Sequence, residues 1–426
     1  MQIKKKVITI VEYWFVTTES SVPCPSGSAF VSKKTFNELK SFVDTNNADC
    51  VFSYARKKPF WEILVAQNFV WVIETKDWTL IEILPKITNT TDKFDTEKTR
   101  QIFLRMIKTL KDSKFKNLDE ASLRNQKFPI LEIFIELFLS ELSLLVKKWI
   151  KKNYITKVDN LKFVKWKLKI RENIVTNIVD KSKFVCEYDD FSENIKENKL
   201  IKTCLLKLQK LSLSQRNQKW INLFLNVFSG VWISKDIEND LKIINNVNRL
   251  NNYYLPTLKW VKLFLSNESV VNFSWNTTAL SLLFPMETIF ESYVANKLKK
   301  KMNSHRIDIQ DSSFYLLRDI NNKWSFRLRP DIVIDKNDPE NIIIADTKWK
   351  KLDSNSKNKK YSWINEDDVY QMLAYKVTYE SKKLYLIYPK NENFIHPIPY
   401  IFQKDWTILK AIPYDLENDE CEIFNI

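Results

Sequence analysis

Two aspartates and a lysine stand at the ends of two short apolar runs near the end of the chain. The stretch, residues 329–352, is RPDIVIDKNDPENIIIADTKWKKL. Asp331 precedes the run IVI, Asp346 follows the run IIIA, and Lys348 comes two positions later. The segment between the runs, DKNDPEN, favours a turn because Asp, Asn and Pro readily adopt turn conformations. The stretch therefore predicts a β-hairpin of two buried strands.

The register of this hairpin decides whether the two acids meet. Residue numbers that face each other across an antiparallel pair add to a near-constant value: Asp335 with Asn341 gives 676, and Asp331 with Asp346 gives 677. Side chains alternate along a strand, so Asp346 and Lys348 share one face. We expect two carboxylates and one ammonium group at one edge of an apolar sheet.

Such a group of side chains suits metal-assisted phosphodiester chemistry. Two nearby carboxylates repel each other unless a cation lies between them, and oxygen ligands suit a hard ion, Mg²⁺ above others. That ion polarises a phosphodiester and lowers the pKa of a bound water. Lys348 could orient or deprotonate the water, or stabilise charge on the phosphate. An Asp-x-Lys at a strand end is also often a simple surface ion pair, so these residues alone leave both interpretations open.

Two predicted helices carry polar side chains that could reach this edge. In EDDVYQMLAYKVTYE, Gln371 and Tyr375 lie four positions apart and project from one face. In ETIFESYV, Glu287 and Glu291 have the same spacing, and a glutamate there could bind the metal. Both pairs would also fit an ordinary amphipathic helix. The predicted core face of the first helix is formed by Tyr370, Leu373, Ala374 and Val377.

The elements that must position these residues indicate a multidomain α+β chain. Residues 1–127 predict a β-rich mixed domain, residues 128–271 a mainly helical region, and residues 272–426 a small α/β layer fold. In the first part, Ser32 can cap a short helix. There, too, NFVWVIET and WTLIEILPKI predict two strands joined by a turn around Lys76-Asp77.

Composition narrows the classes of function. The chain has 67 Lys and Arg against 52 Asp and Glu, a net charge of +15, which favours a polyanionic partner. AT-rich coding would also produce many lysines. There are only two glycines, Gly27 and Gly230. Phosphate-binding loops need several glycines, so we expect no nucleotide to be bound by this chain itself.

Cysteine, histidine and the apolar segments point to a cytoplasmic, non-membrane protein. The five cysteines are scattered without a C-x-x-C pair, which favours buried thiols in a reducing compartment. The two histidines stand apart and argue against a His-based metal site. The most apolar stretch, residues 128–149, contains three glutamates and predicts a long buried helix rather than a membrane span.

Taken together, these motifs resemble the PD-(D/E)xK nuclease superfamily, and more narrowly the McrC family, the nuclease subunits of McrBC-type modification-dependent restriction systems. The similar blocks are PMETIFESYV, RLRPDIVI, NIIIADTKWKK, DDVYQMLAYKV, LYLIYP, CEYDDFSENIKENKLIK and NFVWVIETKDWTLIEILPKI. One departure is KFVKWKLKI, where the family often has a glycine. Asp189, Asn194 and Asn198 match family positions, and we assign them structural hydrogen bonds.

The resemblance implies a restriction-endonuclease-like C-terminal domain that cuts double-stranded DNA. It implies Mg²⁺ as the cofactor, with Mn²⁺ able to replace it, and the metal ligands Asp331, Asp346 and Glu291. The expected catalytic set is Asp331, Asp346, Lys348, Glu291, Gln371 and Tyr375. The motif register favours Glu291 over Glu287. The implied partner is a hexameric McrB-like AAA+ GTPase, which the N-terminal part contacts and stimulates.

Two basic segments have predicted roles in these contacts. The segment KWKKLDSNSKNKK predicts backbone contacts to duplex DNA, because lysine clusters bind phosphates without reading sequence. Its candidate residues are Lys350, Lys351, Lys357, Lys359 and Lys360. A solvated charged loop fits this segment equally well. In YARKKPFW, Arg56, Lys57 and Lys58 occupy a predicted loop, where one of them could supply the positive charge that a GTPase needs.

Two other functions stay open. One is a non-catalytic assembly factor that bridges DNA and an AAA+ NTPase. The other is a PD-(D/E)xK repair nuclease that acts alone. The complete set of two acids and a lysine favours an active nuclease over the assembly factor, and the large N-terminal half argues against the repair nuclease.

Overall fold

The computed structural model describes residues 6–18, 22–46, 51–75, 77, 79–87, 95–110, 129–242, 244, 249–266, 281–352 and 364–425. The chain forms two compact units. The first consists of Met1–Pro129 together with Ser269–Ile426, and the second of Ile130–Glu268. With helices and several sheets, this is a multidomain α+β protein, as the sequence predicts.

The N-terminal segment of the first unit contains β1 Lys6–Val11, β2 Phe15–Thr18, β3 Ala29–Val31, α1 Lys33–Asn46, β4 Phe52–Lys57, β5 Phe60–Ala66, β6 Phe69–Glu74, β7 Thr79–Leu84 and α2 Thr96–Ile107. The second unit contains α3 Ile130–Lys147, β8 Asn153–Leu161, β9 Lys167–Leu168, α4 Ile170–Thr176, β10 Phe184–Ser192, α5 Lys196–Leu211, α6 Gln215–Val227, α7 Ile237–Leu241, a 3₁₀ helix Arg249–Tyr254 and α8 Leu255–Leu265.

The C-terminal segment of the first unit contains β11 Ser281–Pro285, α9 Met286–Lys301, β12 Ile307–Ile309, β13 Tyr315–Arg318, β14 Trp324–Arg327, β15 Ile332–Ile334, β16 Ile343–Thr347, α10 Glu366–Tyr379, β17 Lys383–Pro389, β18 Ile398–Ile401, β19 Ile408–Tyr414 and a 3₁₀ helix Glu422–Asn425. The predicted helix that carries Glu287 and Glu291 is confirmed as α9.

Two four-stranded sheets make up the N-terminal part of the first unit, in the orders β3-β2-β5-β4 and β1-β7-β6-β11. The predicted hairpin β6–β7 forms, and Asp77 lies in its turn, accepting a hydrogen bond from the Thr79 amide at 3.2 Å. The predicted cap of α1 also forms, since Ser32 Oγ accepts from the Thr35 amide at 3.0 Å. Strand β11, which follows the predicted boundary at 272, pairs with β6.

A six-stranded mixed sheet, β12-β15-β16-β17-β19-β18, carries the predicted acid-bearing hairpin. Strands β15 and β16 pair antiparallel, and β16, β17 and β19 run parallel. Such parallel strands are buried on both faces, which explains their continuous apolar runs. Helix α10 packs on this sheet, with Met372, Tyr375 and Tyr379 in one core with Val333 and Leu386.

The predicted core face of α10 is wrong except at Ala374, which is half-buried and packs against this core. Tyr370 and Val377 are each 65% exposed, and the buried stripe is instead Asp368, Met372, Tyr375 and Tyr379. The helix carries apolar side chains on more than one face, so periodicity alone does not select the buried one. The aromatic rings of the two tyrosines enter the core while their hydroxyls bond polar groups.

The second unit combines helices with a three-stranded sheet, β8-β10-β9. The predicted long helix is confirmed as α3, and its Glu132 is buried, accepting hydrogen bonds from Ser212 and Asn217 at 2.8 Å. These partners explain how a carboxylate is tolerated in so apolar a helix. Across the described residues, the helices are too short or too polar to cross a membrane.

Candidate active site

The hairpin β15–β16 places Asp331 opposite Asp346. Ile332 pairs with Ala345 and Val333 with Ile344, so one further step along the ladder brings the two aspartates together and confirms the predicted register. Asp331 Oδ2 accepts hydrogen bonds of 2.7 Å from both the amide and the hydroxyl of Thr347. These two bonds fix the orientation of one carboxylate at the end of the hairpin.

Asp346 and Lys348 form a close ion pair on the face that alternation predicts. Lys348 Nζ lies 2.7 Å from Asp346 Oδ2. Asp346 is 2% exposed, so the ammonium group of Lys348 lies against a buried carboxylate. The Lys348 amide donates to the Ile387 carbonyl at 2.9 Å, which continues the pairing of β16 with β17 and fixes the backbone at the lysine.

Both aspartates hold protons more tightly than an ordinary carboxyl group. Burial raises the pKa of Asp331 to about 6, assisted by repulsion from Glu291 and opposed by the hydrogen bonds from Thr347. Burial also raises the pKa of Asp346 to about 7, assisted by Asp331 and opposed by Lys348. Two buried acids that disfavour each other's charge form a site in which a cation would be stabilised.

Lys348 is held in its ammonium form. Burial lowers its pKa, but the carboxylates of Asp346, Asp368 and Asp331 outweigh burial and raise the pKa above its ordinary value. A lysine that keeps its proton cannot deprotonate water. Of the roles considered for Lys348, its environment favours charge stabilisation.

Helix α10 supplies the groups that hold the lysine. Gln371 Oε1 accepts from Lys348 Nζ at 2.8 Å, and Gln371 Nε2 donates to the Tyr375 hydroxyl at 2.8 Å. The structure thus brings both predicted residues of this helix to the site, with Gln371 in contact with Lys348 and Tyr375 behind it.

Asp368 is a site residue that the sequence analysis missed. It is buried, lies 3.7 Å from Lys348 and 3.3 Å from Lys350, and accepts from the Tyr388 hydroxyl at 3.2 Å. Its charge also contributes to the raised pKa of Asp346. The sequence did contain a signal for Asp368. This residue stands three positions before Gln371, and that spacing places both side chains on one face of a helix.

The two candidate glutamates of helix α9 bond to different parts of the first unit. Glu291 Oε1 accepts from Gln310 Nε2 at 2.6 Å, and the charge of Glu291 contributes to the raised pKa of Asp331. Glu287 Oε1 instead accepts from Asn68 of the N-terminal segment at 2.9 Å. The structure therefore brings Glu291 towards the aspartate pair and directs Glu287 elsewhere.

The donor set fits a hard cation in its chemistry. The acids brought near one another here offer carboxylate oxygens, which are the donors that a hard cation prefers. Within the described residues, no three Asp, Glu, His or Cys side chains converge closely enough to form a complete ligand cluster. Asp331 and Asp346, with Glu291 close enough to raise the pKa of Asp331, are the residues that could hold a cation at this edge.

The other predicted residues lie at the surface or outside the described residues. Lys350 and Lys351 are exposed just after the site strand, and Lys350 is paired with Asp368. Lys357, Lys359 and Lys360 lie outside the described residues.

The predicted loop at residues 56–58 is instead the end of a strand and a tight turn. Arg56 and Lys57 belong to β4, and Lys58 lies in the turn to β5, because Lys57 pairs directly with Phe60. All three side chains are exposed. A two-residue connection leaves too few positions for a loop.

In the second unit, the residues assigned a structural role make hydrogen bonds. Asn198 Nδ2 donates to the carbonyls of Lys151 and Glu193 at 3.0 and 2.7 Å. Asn194 Oδ1 accepts from a backbone amide, whereas Asp189 accepts from a threonine hydroxyl rather than from the backbone. Cys186, Cys204 and Cys421 are buried free thiols, as predicted; Cys24 is half-buried, and Cys50 lies outside the described residues.

The fold and the site at the end of the β15–β16 hairpin define the class of this protein. It is a multidomain α+β protein with a carboxylate–lysine site on a mixed sheet. The family model of the McrBC 5-methylcytosine restriction system component matches residues 64–389. The chain therefore belongs to this family, and the resemblance drawn from its motifs is confirmed.

Comparison with solved structures finds a chain with the same fold. A Thermococcus gammatolerans structure, described as a refined half-complex from a tetradecameric assembly of McrB AAA+ hexamers with bound McrC, covers 99% of this chain and 98% of its own matching chain. Its TM-score is 0.65 at 16% identity, which shows a shared fold. A cryo-EM structure of the McrBC complex from the same organism covers 70% of this chain and 88% of its own, at 18% identity and a TM-score of 0.46. Comparison with curated proteins finds no match.

Proposed function

We propose that this chain is the endonuclease subunit of a McrBC-like restriction complex and hydrolyses phosphodiester bonds in modified double-stranded DNA. The observation that carries the proposal is Asp331 facing Asp346 across the hairpin, with Lys348 2.7 Å from Asp346. Two acids and a lysine in this arrangement are the elements that the PD-(D/E)xK motif contributes.

In this proposal Asp331, Asp346 and Glu291 hold Mg²⁺, which Mn²⁺ can replace. When bound, the metal supplies Lewis-acid polarisation of the phosphate and a lower pKa for an attacking water. The raised pKa values of both aspartates support the assignment, because a cation relieves the repulsion that raises them.

The remaining site residues stabilise charge on the phosphate or hold the side chain that does so. Lys348 keeps its proton and presents an ammonium group to charge that develops on the phosphate oxygens. Gln371 holds that ammonium at 2.8 Å, and Tyr375 holds Gln371 at the same distance. Preorganised charge of this kind contributes most where water is excluded, and Asp346 is nearly inaccessible.

We infer that an AAA+ GTPase supplies the energy for movement on DNA. The related Thermococcus gammatolerans assembly holds McrB AAA+ hexamers with bound McrC. This chain has only two glycines and no glycine-rich phosphate loop. In our proposal its N-terminal segment binds and stimulates the partner, and the lysines from Lys350 to Lys360 contact the DNA backbone.

The test combines the protein, its GTPase partner, GTP, Mg²⁺ and modified or unmodified duplex DNA. Asp346→Ala is expected to abolish cleavage and to leave complex formation and GTP hydrolysis intact. Asp159→Ala is the matched control, since it removes an exposed aspartate of β8 in the second unit, and it should cut normally.

Two outcomes would contradict the proposal in different ways. If the wild-type complex stimulates GTP hydrolysis but cuts no modified substrate, the chain is a non-catalytic assembly factor. If the protein alone cuts DNA at the same rate with and without its partner, it is a stand-alone nuclease.

A further inference from the structure

A small hairpin stands immediately before the candidate site. Strands β13 and β14 form a two-stranded sheet that pairs with no further strand among the described residues. Arg327 ends β14, and Asp331 follows four positions later. Because an extended chain spans at most about 3.6 Å per residue, the base of the hairpin lies within roughly 14 Å of this carboxylate.

The hairpin exposes an unusual amount of apolar surface. Phe326 is 72% exposed, Leu317 is 53% exposed, and Ile320 at the tip is fully exposed. Leu316 and Trp324 are also accessible. Several large exposed apolar side chains on one short hairpin are typical of an interaction site.

Basic side chains flank this apolar surface. Residues 314–329 contain Arg318, Lys323, Arg327 and Arg329 and a single acid, Asp319. Within the described part of the chain, neither Arg318 nor Arg327 forms an ion pair with a carboxylate. Their charges are therefore available to an anionic partner.

Aromatic rings hold the two guanidinium groups in place. The guanidinium carbon of Arg318 lies 3.6 Å from the ring centroid of Trp324, and that of Arg327 lies 5.5 Å from the ring of Tyr315. The two rings stack on each other at 5.8 Å. Arg327 also donates its Nε–H to the Ser312 carbonyl at 2.8 Å. The guanidinium groups held in this way can present their remaining N–H donors to a phosphate.

We propose that the β13–β14 hairpin binds the DNA duplex beside the scissile phosphate, with Arg318 and Arg327 on the backbone and the tip around Ile320 in the minor groove. Basic side chains combined with an exposed apolar wedge are the means by which proteins engage the minor groove. The short connection to Asp331 places this contact next to the cleavage site. The inference rests on the proposed function, because it assumes that duplex DNA is the substrate.

The first experiment measures binding without cleavage. Fluorescence anisotropy of a labelled duplex is followed with the full-length protein, in EDTA, at several salt concentrations. For R318A/R327A we expect affinity to fall at least tenfold. The slope of log K against log salt should fall by about 1.8, since each lost phosphate contact removes about 0.9. K299A/K300A removes two exposed charges from the end of α9 and is the control, with an unchanged slope.

A second variant distinguishes the contribution of the apolar tip to DNA binding from that of the arginine charges. Ile320→Ser is expected to lower affinity severalfold without changing the salt slope, because it removes an apolar contact and no charge. Thermal unfolding of both variants should match that of the wild-type protein, since the altered side chains are exposed.

The outcomes separate this inference from the proposed function. If the wild-type protein binds and cuts DNA while R318A/R327A and I320S behave identically to it, only the hairpin inference is overturned. If the wild-type protein binds no duplex DNA, either alone or with its GTPase partner, both fail. If the hairpin variants bind DNA normally but lose assembly with the GTPase, the surface serves a protein partner and the inference is wrong.

Discussion

The indole N–H of Trp349 donates a hydrogen bond of 3.1 Å to the carboxyl group of Glu12, which joins the residue after Lys348 to the end of β1. Glu12 is fully buried and also accepts from the Lys86 amide at 3.1 Å. Burial raises its pKa to about 8, although both hydrogen bonds oppose the shift. At neutral pH this group is therefore mostly a neutral acid inside the first unit.

Glu12 should make the stability of the protein depend on pH. Its pKa is about 4.5 in the unfolded chain and about 8 in the folded one, so the folded state binds the proton more tightly between these values. Stability should consequently fall as pH rises through this window, by up to about 1.4 kcal/mol per pH unit, and level off above pH 8. The advantage of Glu12→Gln over the wild type should grow from pH 5 to pH 8 in denaturant unfolding. A difference that stays constant with pH would contradict this.

Gln371 should matter for rate because it holds the ammonium group of Lys348. Gln371→Ala removes the acceptor that lies 2.8 Å from Lys348 Nζ. We expect cleavage to slow by about ten- to a hundredfold, because the ammonium group loses the side chain that orients it. DNA affinity should stay the same, so the effect appears in kcat rather than KM. Tyr370→Ala, on the exposed side of the same helix, should cut normally. Equal loss in both variants would point to general damage of α10.

Gln310 should matter for metal binding because it positions Glu291. Its side chain donates to Glu291 at 2.6 Å and accepts from Arg329. For Gln310→Ala we expect the Mg²⁺ concentration that gives half-maximal cleavage to rise about tenfold. Gln403→Ala alters an exposed glutamine and is the control. An unchanged Mg²⁺ dependence would contradict the prediction that Gln310 positions Glu291 to bind the metal.

The turn between β4 and β5 should carry stimulation of the GTPase partner. Arg56, Lys57 and Lys58 are exposed there, and a positive charge supplied by a second protein can accelerate GTP hydrolysis greatly. Their joint replacement by Ala is expected to abolish stimulated hydrolysis, measured as phosphate release. K33A/K34A, which removes exposed lysines at the start of α1, should stimulate normally. Full stimulation by the triple variant would reject the assignment.

The buried pair of Arg100 and Glu82 should dominate local stability. Arg100 Nη2 lies 2.6 Å from Glu82 Oε2, and the side chains are 8% and 0% exposed. Arg100→Ala leaves a buried carboxylate without its cation and should cost about 3–5 kcal/mol of unfolding free energy. Lys98→Ala, on the same helix, breaks a solvent-accessible pair with Glu417 and should cost at most about 1 kcal/mol. Denaturant unfolding distinguishes the two.

The hairpin register was predictable because it depends on local features. The turn-rich segment and the two apolar runs leave one antiparallel pairing that buries both, and that pairing sets Asp331 against Asp346. The buried face of α10 was not predictable, because apolar residues on more than one face compete and the neighbouring sheet selects between them. Strand β12 was missed for a similar reason, since three half-buried residues have no periodicity of their own.

The sequence by itself determined the acids, the lysine, their shared edge and the family, because these follow from residue type, strand alternation and the order of motifs. The tertiary structure decided which helix glutamate approaches the aspartates, since Asn68 holds Glu287 and Gln310 holds Glu291. It also decided that Lys348 stays protonated and that Asp368 joins the site. The physical reason is that burial and the charge of distant neighbours govern these properties, and only packing brings such neighbours together.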